Sequence, residues 1–329
     1  MKALRPAAVM SLIPALVAML CATTSAQAQA PAYPNKPVRL VAGFPAGGGV
    51  DATARTFAQK LSEYWGQTVI VENRAGANGM VGAEAVARAP KDGYTLFLST
   101  PSEVALNSLL YARMPYEPLK DLAPISLVAI FPNVLVTHAS VQAGTVAEVL
   151  ALTKKTPNGL HYATSGTGST QHLAGEWLQR YAGFNWTHVP YKGAAPATND
   201  IVGGQVPVAL LGLGAILPHI KSGKVRGIAV TSKQRSAAMP DVPTLYEAGI
   251  KFDATQWYGI LTTAGAPPEV ITQVQAALRR AAAEPAVRER LVALGGDPAS
   301  STPQEYTALI RSEVEKFAKI VQDANIKAD

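Results

Sequence analysis

Short apolar runs typical of β-strands alternate along the chain with longer segments whose apolar residues have helical spacing. The first such pair is Val38–Ala42 and 51–65, where Phe57, Leu61 and Trp65 fall on one helical face. Because strand and helix patterns keep alternating in this way, the sequence predicts an α/β protein with mostly parallel sheets.

The same two periodicities predict the remaining elements. Further strands are expected at 68–72, 94–99, within 123–137, and at 161–164, 187–191, 206–213, 225–231 and 257–261; further helices are expected at 80–88, from 100, and at 146–153, 169–182, 195–203, 268–283, 286–294 and 303–326. No flexible linker separates these elements, which favours a chain that crosses between two domains more than once. We expect domain 1 at residues 29–130 plus 255–329 and domain 2 at residues 131–254.

The N-terminus has the pattern of an export signal. Lys2 and Arg5 precede an apolar run over residues 7–22, and Ala-Gln-Ala at 26–28 has the small residues of a cleavage site. We therefore expect a cleaved signal peptide at residues 1–28 and an exported mature chain. An uncleaved membrane anchor is the alternative.

Composition narrows the class of ligand. Without the signal, the net charge at pH 7 falls from +6 to +4, and the basic residues are spread along the chain. A nucleic-acid-binding protein needs a clustered basic surface, so the sequence argues against nucleic acid, whereas a mild positive balance suits small anions. The only cysteine, Cys21, lies in the signal, so the exported chain is expected to have no disulfide and no thiol nucleophile.

Two glycine-rich turns each join a predicted strand to a predicted helix. Residues 43–51 read Gly-Phe-Pro-Ala-Gly-Gly-Gly-Val-Asp, and residues 165–170 read Ser-Gly-Thr-Gly-Ser-Thr. The start of a helix presents unpaired backbone N–H groups and partial positive charge, and glycine lets a ligand approach the backbone closely. The two turns therefore predict a clamp for a ligand with two anionic groups. Tight strand-to-helix connections also use glycine without any ligand, and this remains the alternative.

Several side chains near these turns allow two interpretations. Asp51 is either a helix-capping residue or a partner for an ammonium or hydroxyl group on a ligand. His172 follows the second turn directly and is a candidate ligand contact. Four aromatic residues at strand ends are either core or cleft wall: Phe44, Tyr191, Trp257 and Tyr258.

Enzyme and metal motifs are incomplete. Gln171 and Leu217 occupy the last glycine position of two possible G-x-G-x-x-G patterns, and no P-loop sequence is present. Ala163 breaks a G-x-S-x-G pattern around Ser165. The five histidines are isolated from one another, so we expect no bound metal and no cofactor.

A series of short motifs occurs in a fixed order over nearly all of the exported chain. They are YPNKPVR at 33–39, GFPAGG at 43–48, VIVENRAGANG at 69–79, DGYTL at 92–96, YATSGTGS at 162–169, VPYKG at 189–193, RGIAVT at 226–231 and PDVPT at 240–244. In this order they resemble the substrate-binding proteins of the tripartite tricarboxylate transporter systems, the Bug family. Pro207 departs from the family, which usually has Asp there, and the apolar strand end at 210–214 favours a ligand less polar than an amino acid.

The resemblance implies a periplasmic, monomeric protein without enzymatic activity and with a two-domain Venus-flytrap fold. Such a protein closes on a small carboxylate and delivers it to an inner-membrane tripartite transporter permease. The carboxylate is a di- or tricarboxylate, an aromatic acid or an acidic amino acid. Two alternatives remain: a ligand-sensing partner of a sensor-kinase periplasmic domain, and a secreted hydrolase built on Ser165 or Ser169 with His172 or His188.

The resemblance also implies, by matching position, which residues bind the ligand. They are Phe44, Ala46, Gly47, Gly48, Gly49 and Asp51 at the first turn; Thr100, Pro101 and Ser102 at another strand end; Ser165, Gly166, Thr167, Gly168, Ser169, Thr170 and His172 at the second turn; and Tyr191, with Lys192 and Gly193 beside it.

Overall fold

Two sheet regions share one long strand. The computed structural model describes residues 33–327, and the predicted signal peptide lies outside the described residues. The strands are β1 (Val38–Ala42), β2 (Val69–Asn73), β3 (Thr95–Ser99), β4 (Leu122–His138), β5 (His161–Thr164), β6 (Thr187–Pro190), β7 (Val208–Gly212), β8 (Val225–Val230), β9 (Thr255–Thr263) and β10 (Asp297–Pro298).

Helices follow most of the strands. They are α1 (Gly49–Trp65), α2 (Met80–Ala87), α3 (Asn107–Leu110), α4 (Pro118–Asp121), α5 (Val146–Lys155), α6 (Thr170–Ala182), α7 (Ala194–Val202), α8 (Leu213–Lys221), α9 (Pro268–Ala283), α10 (Pro285–Ala293) and α11 (Pro303–Ala324). A 3₁₀ turn at Ala77–Gly79 precedes α2, and a π-helical turn at Ser102–Leu106 precedes α3. None of the helices between residues 33 and 327 has the length and apolar character needed to cross a membrane.

Strand β4 changes partner near its middle. Its first part, from Leu122 to Pro132, pairs antiparallel with β9. Its second part, from Asn133 to His138, pairs antiparallel with β7 and β8. The strand order is β2-β1-β3-β9-β4-β7-β5-β6, so β4 belongs to both sheet regions.

The predicted α/β class is confirmed, and its parallel pairing occurs in the outer strands. β1 pairs parallel with β2 and β3, and β5 pairs parallel with β6 and β7. The central strands β4 and β9 are antiparallel, unlike the mostly parallel sheets expected, because β4 carries the chain from the first sheet region to the second and β9 returns it. The predicted domain boundaries after residues 130 and 254 fall near this exchange, and the division into two domains stays a prediction.

Helix α8 has no counterpart in the elements expected from sequence. The pattern predicts a strand over 206–213 followed directly by another over 225–231, whereas β7 ends at Gly212 and α8 follows. Ile216 and Leu217 of α8 are buried in the core beside the sheet. The sequence pattern does not predict this helix because Pro218 lies inside it, and proline disfavours a helix interior.

Glu103 is buried behind the first glycine turn. The residue has no exposed surface, and a Cβ added to Gly43 would lie 2.9 Å from its Oε1. The backbone N–H of Thr100 donates to Glu103 Oε2 at 2.9 Å, while Oε1 has no hydrogen-bond partner in the part of the chain that the structure describes. Burial raises the pKa of Glu103 to about 7, even though the hydrogen bonds from Thr100 act in the opposite direction.

A third glycine-rich turn, at 75–79, packs against the same carboxyl group. Asn78 Nδ2 donates to Asn107 Oδ1 at 2.8 Å, and Asn107 Nδ2 donates back to the carbonyl oxygen of Asn78 at 3.1 Å. Gly79 has a φ of +86°, and a Cβ there would lie 2.5 Å from the Glu103 side chain, so this position requires glycine. The third turn therefore holds the π-helical turn and α3 in place behind the first turn.

Replacing Glu103 by Gln should make the free energy of unfolding less dependent on pH. Between pH 4.5 and about 7 the native state keeps a proton on Glu103 that the unfolded state has lost, so stability falls as pH rises through this window. Over this whole pH window, the loss in the free energy of unfolding that Glu103 causes amounts to roughly 3 kcal/mol. In urea unfolding, Glu103→Gln should gain about that much relative to wild type between the two ends of the window.

The matched control for this prediction is Glu305→Gln. Hydrogen bonds from the backbone N–H and hydroxyl of Thr302 lower the pKa of Glu305, so its contribution to stability is lost as pH falls, the opposite sign. Parallel pH curves for wild type and Glu103→Gln would show that Glu103 does not titrate as described.

Candidate functional site

A cavity of about 850 Å³ lies where several helices begin, and we call it the central cavity. The first glycine turn and the start of α1 supply one part of its wall, and the starts of α7 and α8 supply others. The lining residues are 44–50, Ala52, Phe131, Ser165, Gln171, 192–196, Thr198, Asn199, 212–215, His219, Gln256, Tyr258, Ala293 and Leu294.

Three helices reach the central cavity with N-termini that no side chain caps. The N-cap residues are Gly48 for α1, Gly193 for α7 and Gly212 for α8, and none of these glycines can supply a capping side chain. Helices α5 and α11, by contrast, have complete capping boxes at Thr145 and Thr302, neither of which lines the cavity. The uncapped helix starts leave backbone N–H donors and partial positive charge at the cavity wall.

The side chains of the wall add positive charge and no negative charge. Lys192 is the only Lys, Arg, Asp or Glu among the lining residues of the described chain. An anion in the cavity would therefore meet one cation and three helix starts, whereas an ammonium group would meet no carboxylate. This electrostatic environment favours anionic ligands.

The rest of the wall is partly aromatic and apolar. The rings of Phe131 and Tyr258 lie with centroids 4.5 Å apart. Tyr258 is only 8% exposed, and a Cβ on Gly49 would lie 3.4 Å from its hydroxyl oxygen. Of the four strand-end aromatic residues, Phe44 and Tyr258 line the cavity, while Trp257 is buried in the core against Tyr306.

The Asp51 side chain forms its hydrogen bonds within the first turn and the start of α1. Its carboxylate accepts a hydrogen bond from the backbone N–H of Gly47 at 2.9 Å and pairs with Arg55 at 3.0 Å. Burial alone would raise its pKa, but hydrogen bonds from Arg55, Gly47 and Asn73 hold the pKa below the usual range. The ionised carboxylate thus fixes the shape of the turn, and Asp51 itself is not among the residues lining the cavity.

The second glycine turn contributes Ser165 to the wall, while 166–170 and His172 lie outside it. His172 supports the turn from behind, because its Nδ1 accepts a hydrogen bond from the backbone N–H of Gly168 at 3.1 Å. The imidazole is 6% exposed and stacks on His188 at 3.9 Å between ring centroids. Burial lowers the pKa of His172 to about 4, so the ring is neutral and able to accept this bond at pH 7.

The serine hydroxyls of the second turn are not hydrogen-bonded to a histidine ring among the described residues; Ser169 Oγ accepts only from the backbone N–H of His172, at 3.2 Å. The Ser165 hydroxyl donates to Gln171 Oε1 at 3.1 Å, and the Ser169 hydroxyl donates to the Gly166 carbonyl at 2.7 Å. His188 Nε2 lies 2.7 Å from the Thr164 hydroxyl instead. Within residues 33–327, the serine–imidazole contact expected for the hydrolase alternative is therefore not formed.

The other expected contacts are not among the lining residues of the cavity. Thr100, Pro101 and Ser102 are buried at the start of the π-helical turn and do not line the cavity. The Tyr191 hydroxyl donates to Asp200 at 2.5 Å, outside the wall, but its neighbours Lys192 and Gly193 do line it. The structure thus brings together the first turn, Ser165, Lys192 and Gly193 from the residues suggested by sequence.

Several wall residues are absent from the sequence-based set. Gln171 stands between two expected contacts, and Phe131, Gln256 and Leu294 come from segments without a motif. Gly212 could have been identified from the sequence, because it is a glycine directly after an apolar strand run, the same position that the first glycine turn occupies after β1. Within residues 33–327, no three His, Cys, Asp or Glu side chains are grouped so that they could hold a metal ion.

Known proteins with similar sequences and structures cover nearly the whole chain. Protein BugT of Bordetella pertussis is 35% identical over 317 residues, which is 95% of this chain and 97% of that protein. The solved structure of Rpa4515 from R. palustris with adipate has a TM-score of 0.81 and 32% identity, covering 90% of this chain and 99% of that one. The structure of the periplasmic binding protein BugD has a TM-score of 0.76 and 33% identity, covering 90% and 99%.

These neighbours confirm the expected periplasmic-binding-protein fold class and the Bug resemblance. Residues 53–326 match the family described as tripartite tricarboxylate transporter family receptor. The chain therefore belongs to the receptor family of the tripartite tricarboxylate transporters.

Proposed function

We propose that this protein is a periplasmic receptor that captures a small carboxylate and delivers it to an inner-membrane tripartite transporter permease. The observation that supports this proposal most directly is the central cavity. Among its described lining residues, Lys192 is the only Lys, Arg, Asp or Glu, and three uncapped helices begin there. An ionised carboxylate can accept hydrogen bonds from helix N-termini, each of which favours a nearby negative charge by about 0.3–1 kcal/mol.

The walls support a carboxylate carried on an apolar body. Phe44, Phe131, Leu294 and the ring of Tyr258 line the space beside the helix starts. The relative Rpa4515 was solved with adipate, a dicarboxylate with an apolar chain between its two acidic groups. Dicarboxylates and aromatic acids therefore come before acidic amino acids as candidate ligands here, because an ammonium group finds no carboxylate among the described lining residues.

Among the expected contact residues, we assign direct ligand contact to Ser165 and five residues of the first turn. These are Phe44, Ala46, Gly47, Gly48 and Gly49, joined by Lys192 and Gly193 at the start of α7. We assign a supporting role to Asp51 and His172, which hydrogen-bond to the backbone of the two turns.

Binding is tested by titrating the mature protein, residues 29–329, with adipate, malate, succinate, benzoate and aspartate in a calorimeter. We expect at least one non-amino carboxylate to bind more tightly than aspartate. Lys192→Met should weaken that binding roughly three- to tenfold at low salt, because it removes the one lysine of the wall that the structure describes. Lys154→Met, an exposed lysine on α5 outside the wall, is the matched control and should bind as wild type does.

Two results would count against the proposal. One is the failure of every carboxylate to bind wild-type protein that has been freed of co-purified ligand. The other is turnover of an ester or amide by the same protein, which would favour the hydrolase alternative instead.

The support that His172 gives to the second turn predicts a pH dependence of stability. The pKa of His172 is about 4 in the native state and 6.5 in the unfolded state, so the unfolded state binds more protons between these values. The free energy of unfolding should therefore fall as pH drops from 6.5 to 4. Half-buried His188 acts with the same sign, because partial burial and the neighbouring His172 also lower its pKa.

The substitution His172→Asn distinguishes the contribution of His172 to this pH dependence from that of His188. The Asn side-chain oxygen can accept the hydrogen bond from Gly168 as Nδ1 does, so the turn keeps its support while the titrating ring is removed. We expect His172→Asn to remain folded and to lose part of the acid slope in urea unfolding at pH 4–6.5. His161→Asn, at an exposed histidine on β5, is the control and should keep the wild-type slope. An unchanged slope in His172→Asn would contradict the neutral, buried state of His172.

A further inference from the structure

Gln171 is a wall residue of the central cavity that the sequence motifs do not identify. It is 3% exposed and lines the cavity beside Ser165. A glutamine amide has a carbonyl oxygen that accepts and an NH₂ group with two donors, so its orientation decides what it offers to a ligand.

The backbone carbonyl of Ala254 fixes that orientation through Asn133. A carbonyl oxygen can only accept, so the atom of Asn133 that lies 2.7 Å from it is the nitrogen Nδ2. Asn133 Oδ1 is then directed at Gln171 and accepts from Gln171 Nε2 at 2.9 Å. Gln171 Oε1 consequently lies on the other side, where it accepts from the Ser165 hydroxyl at 3.1 Å.

A second path closes the network on the same side. Asn133 Nδ2 also donates to the Thr170 hydroxyl at 3.3 Å, and that hydroxyl donates to Gln171 Oε1 at 3.5 Å. Turning the Gln171 amide over would place its oxygen against Asn133 Oδ1, so that two acceptors would face each other. Burial makes such an unpaired contact costly, and the amide is therefore locked.

This network accounts for all but one of the hydrogen-bonding positions of the Gln171 amide. Oε1 receives two donors, and Nε2 gives one hydrogen to Asn133. The second Nε2 hydrogen has no acceptor among residues 33–327. A Cβ on Gly212 would lie 3.8 Å from Nε2, so the missing side chain at Gly212 leaves space beside this nitrogen.

We propose that the second Nε2 hydrogen of Gln171 donates to a carboxylate of the bound ligand, next to the uncapped start of α8. The proposal rests on the receptor function proposed above and assigns one donor of its site. Because the amide cannot turn over, Gln171 offers the ligand a donor only, and it selects for an accepting group at this point in the cavity.

The test compares two substitutions with a matched control by calorimetry, using adipate and malate as probes. Gln171→Glu keeps the shape but replaces the donor with a carboxylate, and should weaken binding at pH 7 roughly tenfold to a hundredfold. Gly212→Ala should weaken it less, because its methyl group covers Nε2; the φ of −60° at this position is open to alanine. Gln322→Glu, at an exposed glutamine of α11, should bind as wild type does.

A second measurement keeps the test independent of the stability of Gln171→Glu. In ¹H–¹⁵N spectra, the side-chain NH₂ signals of Gln171 are those that vanish in that variant, and adipate or malate should shift one of them in wild type. Binding by wild type with unshifted Gln171 signals and with both variants within twofold of wild type would overturn this proposal alone. If wild type binds neither probe nor any other carboxylate tested, the receptor function falls, and this proposal falls with it.

Discussion

The central cavity depends on the point at which β4 changes partner, between Pro132 and Asn133. Pro132 has no N–H to continue the ladder, and the next residue pairs with Gly212 of β7. Asn133 is completely buried, and its side chain hydrogen-bonds both to Ala254, which precedes the returning strand β9, and to Gln171 in the cavity wall. One residue thus ties the two crossing segments of the chain to the candidate site.

The helix starts reach the cavity because the strands of the two sheet regions run in opposite directions. β1 and β3 connect to β7 through antiparallel β9 and β4, so both sets of strands have their carboxyl ends toward the point where β4 changes partner. α1, α7 and α8 follow strands β1, β6 and β7 after short connections. Clefts of open α/β sheets lie outside the carboxyl ends of their strands, where the following helices begin. Glycine at the three N-caps leaves the N–H groups to the cavity, whereas the capping boxes at Thr145 and Thr302 satisfy helices that begin elsewhere. The positive potential is therefore mainly a property of the backbone, and one lysine adds to it.

The features that could be predicted from the sequence are those that a local residue pattern determines. The spacing of Phe57, Leu61 and Trp65 placed α1, and the first glycine turn is at the cavity as expected. It could not predict α8, because Pro218 masks a helix that tertiary burial stabilises. The sequence also could not predict the roles of Asp51 and His172, since a residue beside a turn can face either the ligand or the turn itself. Only their hydrogen bonds to the backbone of the turns distinguish these two possibilities. Gln171 depends on contacts with residues far away in the sequence.

Anion binding and ligand selectivity involve different parts of such a site. Backbone N–H groups in the first turns of α1, α7 and α8 persist through most substitutions, so attraction for an anion there is robust to change in sequence. The shape of the remaining space is set by side chains such as Phe131 and Tyr258, which can vary without altering those donors. If the proposed function holds, a change in these side chains would alter which carboxylate is bound without removing the donors that bind it. A locked amide such as Gln171 belongs to both parts, because it adds a donor whose position depends on packing.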